Sequence, residues 1–151
     1  MSPRVGAGAL CLLLAGAPLS GAPPGAPGDS WDPPPAERDR KSPVAATPAA
    51  LAKGRALFQI HCTRCHGDKG RGDGSAAAAL AAEPADLSDP VFQGLLTDGE
   101  ILWKVTNGRR RGKEILMPAM AEKIPFEEDR WKLVAFVRSL AAAAPKAPER
   151  P

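Results

Sequence analysis

The chain has 151 residues, with 20 Lys or Arg against 17 Asp or Glu and a formal charge of +3. Between residues 49 and 141 the balance is 14 basic to 12 acidic, which excludes the strongly basic character of a nucleic-acid binder. One domain of about a hundred residues is expected, too small to be stable by a wide margin. With three Trp, four Phe and no Tyr, its core would gain from a bound apolar group.

The N-terminus, "MSPRVGAGALCLLLAGAPLSGA", carries Arg4 and then an apolar run from Val5 to Ala17. That run has the length of a secretory h-region and is short for a bilayer span. Residues 1–22 are therefore expected to be an export signal, and the mature protein to be periplasmic. A membrane anchor follows only if the segment stays uncleaved. Cys11 leaves with the signal, so the mature chain keeps two cysteines. Residues 23–48 are rich in proline, which opposes helices and strand ladders. They are expected to be a linker, in which Trp31 is the one residue suited to pinning it to a domain.

The domain itself is expected over residues 49–141, all-α, with about four helices. Thr47 is a good N-cap, and Pro48 suits the first helical position. Leu51, Gly54, Phe58 and Cys62 then share one face, and Gly67 ends the segment. A glycine- and aspartate-rich loop follows, then a short helix over "AAAALAAE" by propensity. Thr97 with Glu100 forms a capping-box pattern before Ile101, Leu102 and Val105, with a stop at Asn107-Gly108. "RRRGKEILMPAMAEKIP" is expected to be loop. The last helix runs from about Glu127 to Ala142, with Glu127, Glu128 and Asp129 suited to its first turn. No segment alternates as a strand. Residues 142–151 are expected to be a disordered tail.

The chemistry concentrates in "FQIHCTRCHGDKGRGDG", residues 58–74, which holds both histidines of the chain. Zinc wants four ligands converging from separate directions. His61-Cys62 and Cys65-His66 are sequence neighbours on a helix and do not converge. A reactive dithiol sits near a helix N-terminus, where its pKa falls; here the helix arrives at the cysteines and then ends. A disulfide across Cys62–Cys65 would close almost no loop. The remaining reading is C-x-x-C-H, a c-type heme attachment. Cys62 and Cys65 would form the thioether links, and His66 would lie under the iron. His61 is tethered beside Cys62 and cannot reach the opposite heme face. Two methionines remain as sulfur ligands. Met117 is favoured because Pro118 restricts it to extended backbone; Met120 stands as the rival. A Met–His pair suits an electron carrier.

The stretches "GRALFQIHCTRCHG", "GRGDGSAAAAL", "PADLSDP", "DGEILWKVTNG", "MPAM" and "DRWKLVAFVRSL" resemble the class I c-type cytochromes of the small, single-heme periplasmic kind. The resemblance covers about residues 31–141. It implies a cytochrome c-like fold around one covalent heme c, carried by Cys62 and Cys65 with His66 proximal and Met117 distal. It also implies that Gly54 and Phe58 meet Phe136 where the first and last helices cross. The chain has Ser75 where the family often has proline, so the Ser75 carbonyl is the expected acceptor for the Nδ1–H of His66. It has Met120 where the family usually has an aromatic, and the link "GRRRGKEIL" is longer than usual.

The implied activity is one-electron transfer between redox partners, without catalysis of a substrate reaction. Arg109, Arg110, Arg111 and Lys113 in the long link would form a docking patch for an acidic partner. A monomer is expected. Two alternatives stand beside the free carrier: a heme subunit of a larger respiratory or dehydrogenase complex, and a sensor or peroxidase-like protein with a displaceable distal ligand.

Overall fold

The computed structural model describes residues 31–142; the expected signal, the first part of the linker and the tail beyond residue 142 lie outside them. In chain order the elements are α1 (Pro35–Arg38), α2 (Pro48–His61), α3 (Thr63–His66), a 3₁₀ turn (Ala77–Ala79), α4 (Pro90–Gly94), α5 (Asp98–Asn107), β1 (Arg109–Arg111), β2 (Glu114–Met117) and α6 (Glu127–Ala142). The fold is mostly helical and cytochrome c-like, with α2 crossing α6 as its largest contact.

That crossing follows from the residues. Thr47 caps α2 by accepting from the Ala50 N–H at 3.2 Å, which satisfies one of the orphan donors of the first turn. One turn on, Gly54 lets the two backbones meet: a Cβ there would lie 2.1 Å from the Lys132 carbonyl oxygen. Phe58 then packs its ring against Phe136, centroids 5.4 Å apart and planes tilted by 56°, a favourable aromatic geometry. Phe58, Trp131, Leu133 and Val134 are almost fully buried around this crossing.

Thr97 caps α5 as expected, accepting from the Glu100 N–H at 3.1 Å. The capping box stays half-formed: the Glu100 carboxylate takes the Lys104 ammonium at 2.6 Å in place of the cap backbone. Arg138 of α6 ties α4 and α5 in place, donating to Asp98 Oδ1 at 2.7 Å, to both Gln93 oxygens and to the Leu96 carbonyl.

Three expectations are corrected. Residues 31–48 do not behave as a linker. They include α1, which packs on α5; Thr97 Oγ1 donates to the Arg38 carbonyl at 2.5 Å, and Arg40 pairs with Glu127 while lying over the Trp131 ring. The run "AAAALAAE" makes only the Ala77–Ala79 turn, because the chain turns to extended backbone at Leu80, ψ 147°. The arginine-rich loop is an antiparallel hairpin with Arg110 opposite Ile115 and Arg111 opposite Glu114. Gly112, at φ +59°, makes its turn.

Candidate heme-binding site

Helix α2 runs directly into the C-x-x-C-H segment. Cys62 leaves helical geometry at φ −119° and the chain restarts as α3, with the Cys65 and His66 N–H groups both donating to the Cys62 carbonyl at 3.1 and 2.9 Å. Gly67, at φ +75°, closes α3 with its N–H on the Thr63 carbonyl. The carbonyls left open at this helix end are taken by the following loop. Ala76 donates to Arg64, Gly74 to Cys65 and Gly72 to His66, at 2.9 to 3.1 Å. The glycine-rich loop thus holds the segment that carries both thiols and the imidazole.

Two adjoining cavities meet at this segment, of about 70 Å3 and 320 Å3. Both are lined by Cys62, His66, Ala85 and Met117. The first is otherwise walled largely by apolar side chains such as Phe58, Leu96, Val105 and Leu133. The second adds Cys65, Met120 and Arg109. The structure therefore brings Met117, far along the sequence, to the cavity that Cys62, Cys65 and His66 line.

The two methionines differ in surroundings. Met120 is 5% exposed and belongs to the hydrophobic core, its N–H fixed on the Val105 carbonyl at 3.0 Å. Met117 ends β2, partly buried, and lines both cavities. Its approach depends on Gly108, at φ +67°, where a Cβ would lie 2.4 Å from the Met117 carbonyl oxygen.

The acceptor for His66 is corrected. Its Nδ1–H donates to the Ala85 carbonyl at 3.2 Å, and Ser75 plays no part in that bond. With the proton on Nδ1, the Nε2 lone pair of the neutral ring is free to bind a metal. Burial also lowers the His66 pKa, against the opposing effect of the Ala85 bond. Ala85 is the site residue that sequence reasoning missed. The preceding Pro84 was its only signal.

The cysteines are free thiols. Burial, with Cys65 beside it, pushes the Cys62 pKa up to about 12. A redox dithiol works with a depressed pKa, and the shift at Cys62 runs the other way. Among the described residues there is no cluster of three or more His, Cys, Asp or Glu that could hold a metal ion. A covalently held heme does fit. Two unpaired thiols precede an imidazole with a free lone pair, and an apolar cavity adjoins them.

A helical shell around a cavity with a C-x-x-C-H segment in its wall defines a c-type cytochrome domain, whose chemistry is heme-based electron transfer. Residues 49–137 match the family described as cytochrome C oxidase, cbb3-type, subunit III, and the chain belongs to that family. No curated protein matches the chain. Among solved structures, it is similar to a chain of the reducing HAO-like protein complex Kustc0457/Kustc0458 of Kuenenia stuttgartiensis, with a TM-score of 0.55 and 24% identity over 65% of this chain and 46% of that one. This chain spans less than half the length of that relative, and at that identity the likeness is one of fold.

Proposed function

We propose that the protein is an exported, periplasmic one-electron carrier with a single heme c. Cys62 and Cys65 hold it by thioether links, His66 is the proximal ligand and Met117 the distal one. The observation that carries the reading is the shared cavity wall: Cys62, His66 and Met117 line the same apolar space, although Met117 is far from the other two in sequence. When bound, the heme supplies an iron that cycles between ferrous and ferric states. The chain's own part is to orient and exclude water. Ala85 fixes the imidazole tautomer, the loop from Gly67 fixes the thiols, and Gly108 with Pro118 sets the path of Met117. A filled distal position leaves no substrate site, so no catalysed reaction is assigned.

The hairpin offers Arg109, Arg110, Arg111 and Lys113 as exposed groups, with Arg109 in the wall of the larger cavity and Arg111 paired to Glu114 at 2.8 Å. A negatively charged redox partner would be steered to it. The test is the second-order rate of reduction by an anionic inorganic complex. It should fall with ionic strength, and Arg110→Glu with Lys113→Glu should slow it about tenfold at low salt. A rate independent of both would remove the docking assignment.

The family's oxidase-subunit description and the multiprotein setting of the structural relative support a second reading, a heme subunit held within a larger complex. Co-purification with membrane proteins after mild detergent extraction separates the two: a free carrier is recovered alone. Carbon monoxide separates both from a sensor. Rapid stoichiometric binding to the reduced protein would exclude Met117 as a firm distal ligand.

A further inference from the structure

We propose that Trp31 clasps the base of the β1–β2 hairpin through Arg109, and so acts as a positioning residue for Met117. The distal role of Met117 is the reading given above, on which this rests; the clasp itself stands on separate contacts. Trp31 lies outside the matched residues 49–137, yet it lines both cavities alongside Met117.

The segment that carries Trp31 is anchored on the domain. A Cβ on Gly99 would lie 2.1 Å from the Glu37 carbonyl oxygen, so the backbone of α1 rests on the first turn of α5. Thr97 Oγ1 donates to the Arg38 carbonyl, and Arg40 pairs with Glu127 while lying 5.5 Å from the centre of the Trp131 ring. Between Trp31 and α1, Pro33 is buried, and it holds Asp32 to extended backbone. The indole is thus presented by a stiff, docked stretch of chain.

The hairpin needs such a hold. Arg109–Arg111 are all exposed, as are Glu114 and Ile115. Its strands therefore gain little from burial, and segments with few buried contacts open easily. At its base Arg109 stands opposite Met117 in the register. The Arg109 Cζ lies 4.6 Å and the Lys104 Nζ 5.0 Å from the centre of the Trp31 ring, both within cation–π range. Two cations on one indole repel each other, and Glu100 offsets this by holding Lys104 at 2.6 Å. One ring thus joins the N-terminal segment, α5 and β1. Movement of Arg109 is passed to Met117, because Gly108 beside Arg109 already leaves no room for a Cβ against the Met117 and Pro118 backbone. With Arg109 clasped, an incoming ligand must displace a restrained Met117.

The test uses the full chain loaded with heme, as wild type, Trp31→Ala, Trp31→Phe, Arg109→Gln and the Trp31→Ala/Arg109→Gln double variant. Two quantities are read: amide hydrogen exchange over residues 109–117, and the rate at which carbon monoxide binds the reduced protein. Trp31→Ala and Arg109→Gln should each raise both by about two- to fivefold, the worth of one cation–π contact. The double variant should match the single ones, and Trp31→Phe, which keeps an aromatic face, should stay near the wild type. Unchanged exchange in Trp31→Ala overturns the clasp, even where carbon monoxide binds faster, because Trp31 would then only plug the cavity. So do single effects that add in the double variant, or a Trp31→Phe as impaired as Trp31→Ala. Faster exchange with unchanged carbon monoxide binding overturns the positioning of Met117. Should Trp31→Ala fail to retain heme, Arg109→Gln is read by the same two quantities. The Met117→Ala spectrum tests the distal assignment by itself: a low-spin spectrum kept there would defeat that assignment, while hydrogen exchange still judges the clasp.

Discussion

Gly54 on α2 lies so close to Lys132 on α6 that a Cβ would sit 2.1 Å from the Lys132 carbonyl oxygen and 2.8 Å from the Phe136 Cβ. Both neighbours belong to a helix that cannot yield locally, since Lys132 and Phe136 flank the buried Leu133 and Val134. Gly54→Ala should therefore push the two helices apart. Overpacking of this kind costs about 1–3 kcal/mol, to be read as a lower midpoint in urea unfolding of the heme-loaded protein. A midpoint at or above that of the wild type would show that the crossing is looser than described.

Met117 and Met120 should respond differently to truncation. Met117→Ala is expected to keep covalent heme and lose the low-spin visible spectrum, because the distal position opens. Met120→Ala should keep that spectrum and lose about 2–5 kcal/mol of stability, the cost of a core cavity. A spectrum lost only in Met120→Ala would reverse the assignment of the sulfur.

Gly108 provides a remote test of the same ligand. At φ +67°, with the Met117 carbonyl oxygen 2.4 Å from where a Cβ would stand, alanine is strained twice over. Gly108→Ala should displace the end of β2 and weaken the distal bond, so that carbon monoxide binds the reduced variant faster than the wild type. Unchanged binding would detach Met117 from the hairpin geometry.

Glu127 sits in the first turn of α6 and pairs with Arg40. The Arg40 hydrogen bond holds its pKa below the ordinary 4.5. A depressed folded pKa gives stability that is fully present above 4.5 and is lost as pH falls through the folded value. Both partners are about a third or more exposed, so the contribution is on the order of 1 kcal/mol or less. Glu127→Gln should lower stability at pH 7 and match the wild type in acid, as urea titrations at the two pH values would show. A difference that persists at low pH would assign the effect to packing.

Much of this was readable from local chemistry. Thr47, Thr97 and Gly67 act at the ends of helices, where one side chain or one positive φ decides the outcome, and the spacing of Gly54 and Phe58 already placed them on one face. The hairpin was hidden because Arg109–Arg111 are all exposed, so no apolar alternation marks the strand. The alanine run misled because propensity is a weak prior over eight residues, and the backbone there is taken up in holding the heme-motif segment. Proline in residues 31–48 correctly opposed long helices. It said nothing of whether the extended chain packs, which depends on Thr97, Glu127 and Trp131 far along the sequence. Ala85 could not be read from the sequence for the same reason: a bond spanning 19 residues depends on the fold of the loop between its ends.

The covalent heme is tested most directly by mass. The full chain should be expressed in a host competent in cytochrome maturation, purified and measured intact under denaturing conditions, with Cys62→Ala/Cys65→Ala beside it. The wild type should be coloured and heavier than its processed polypeptide by one heme, with pigment that resists acid-acetone extraction, and the double variant should carry none. A colourless wild type at polypeptide mass, or a pigment that extracts freely, would contradict the assignment of Cys62, Cys65 and His66.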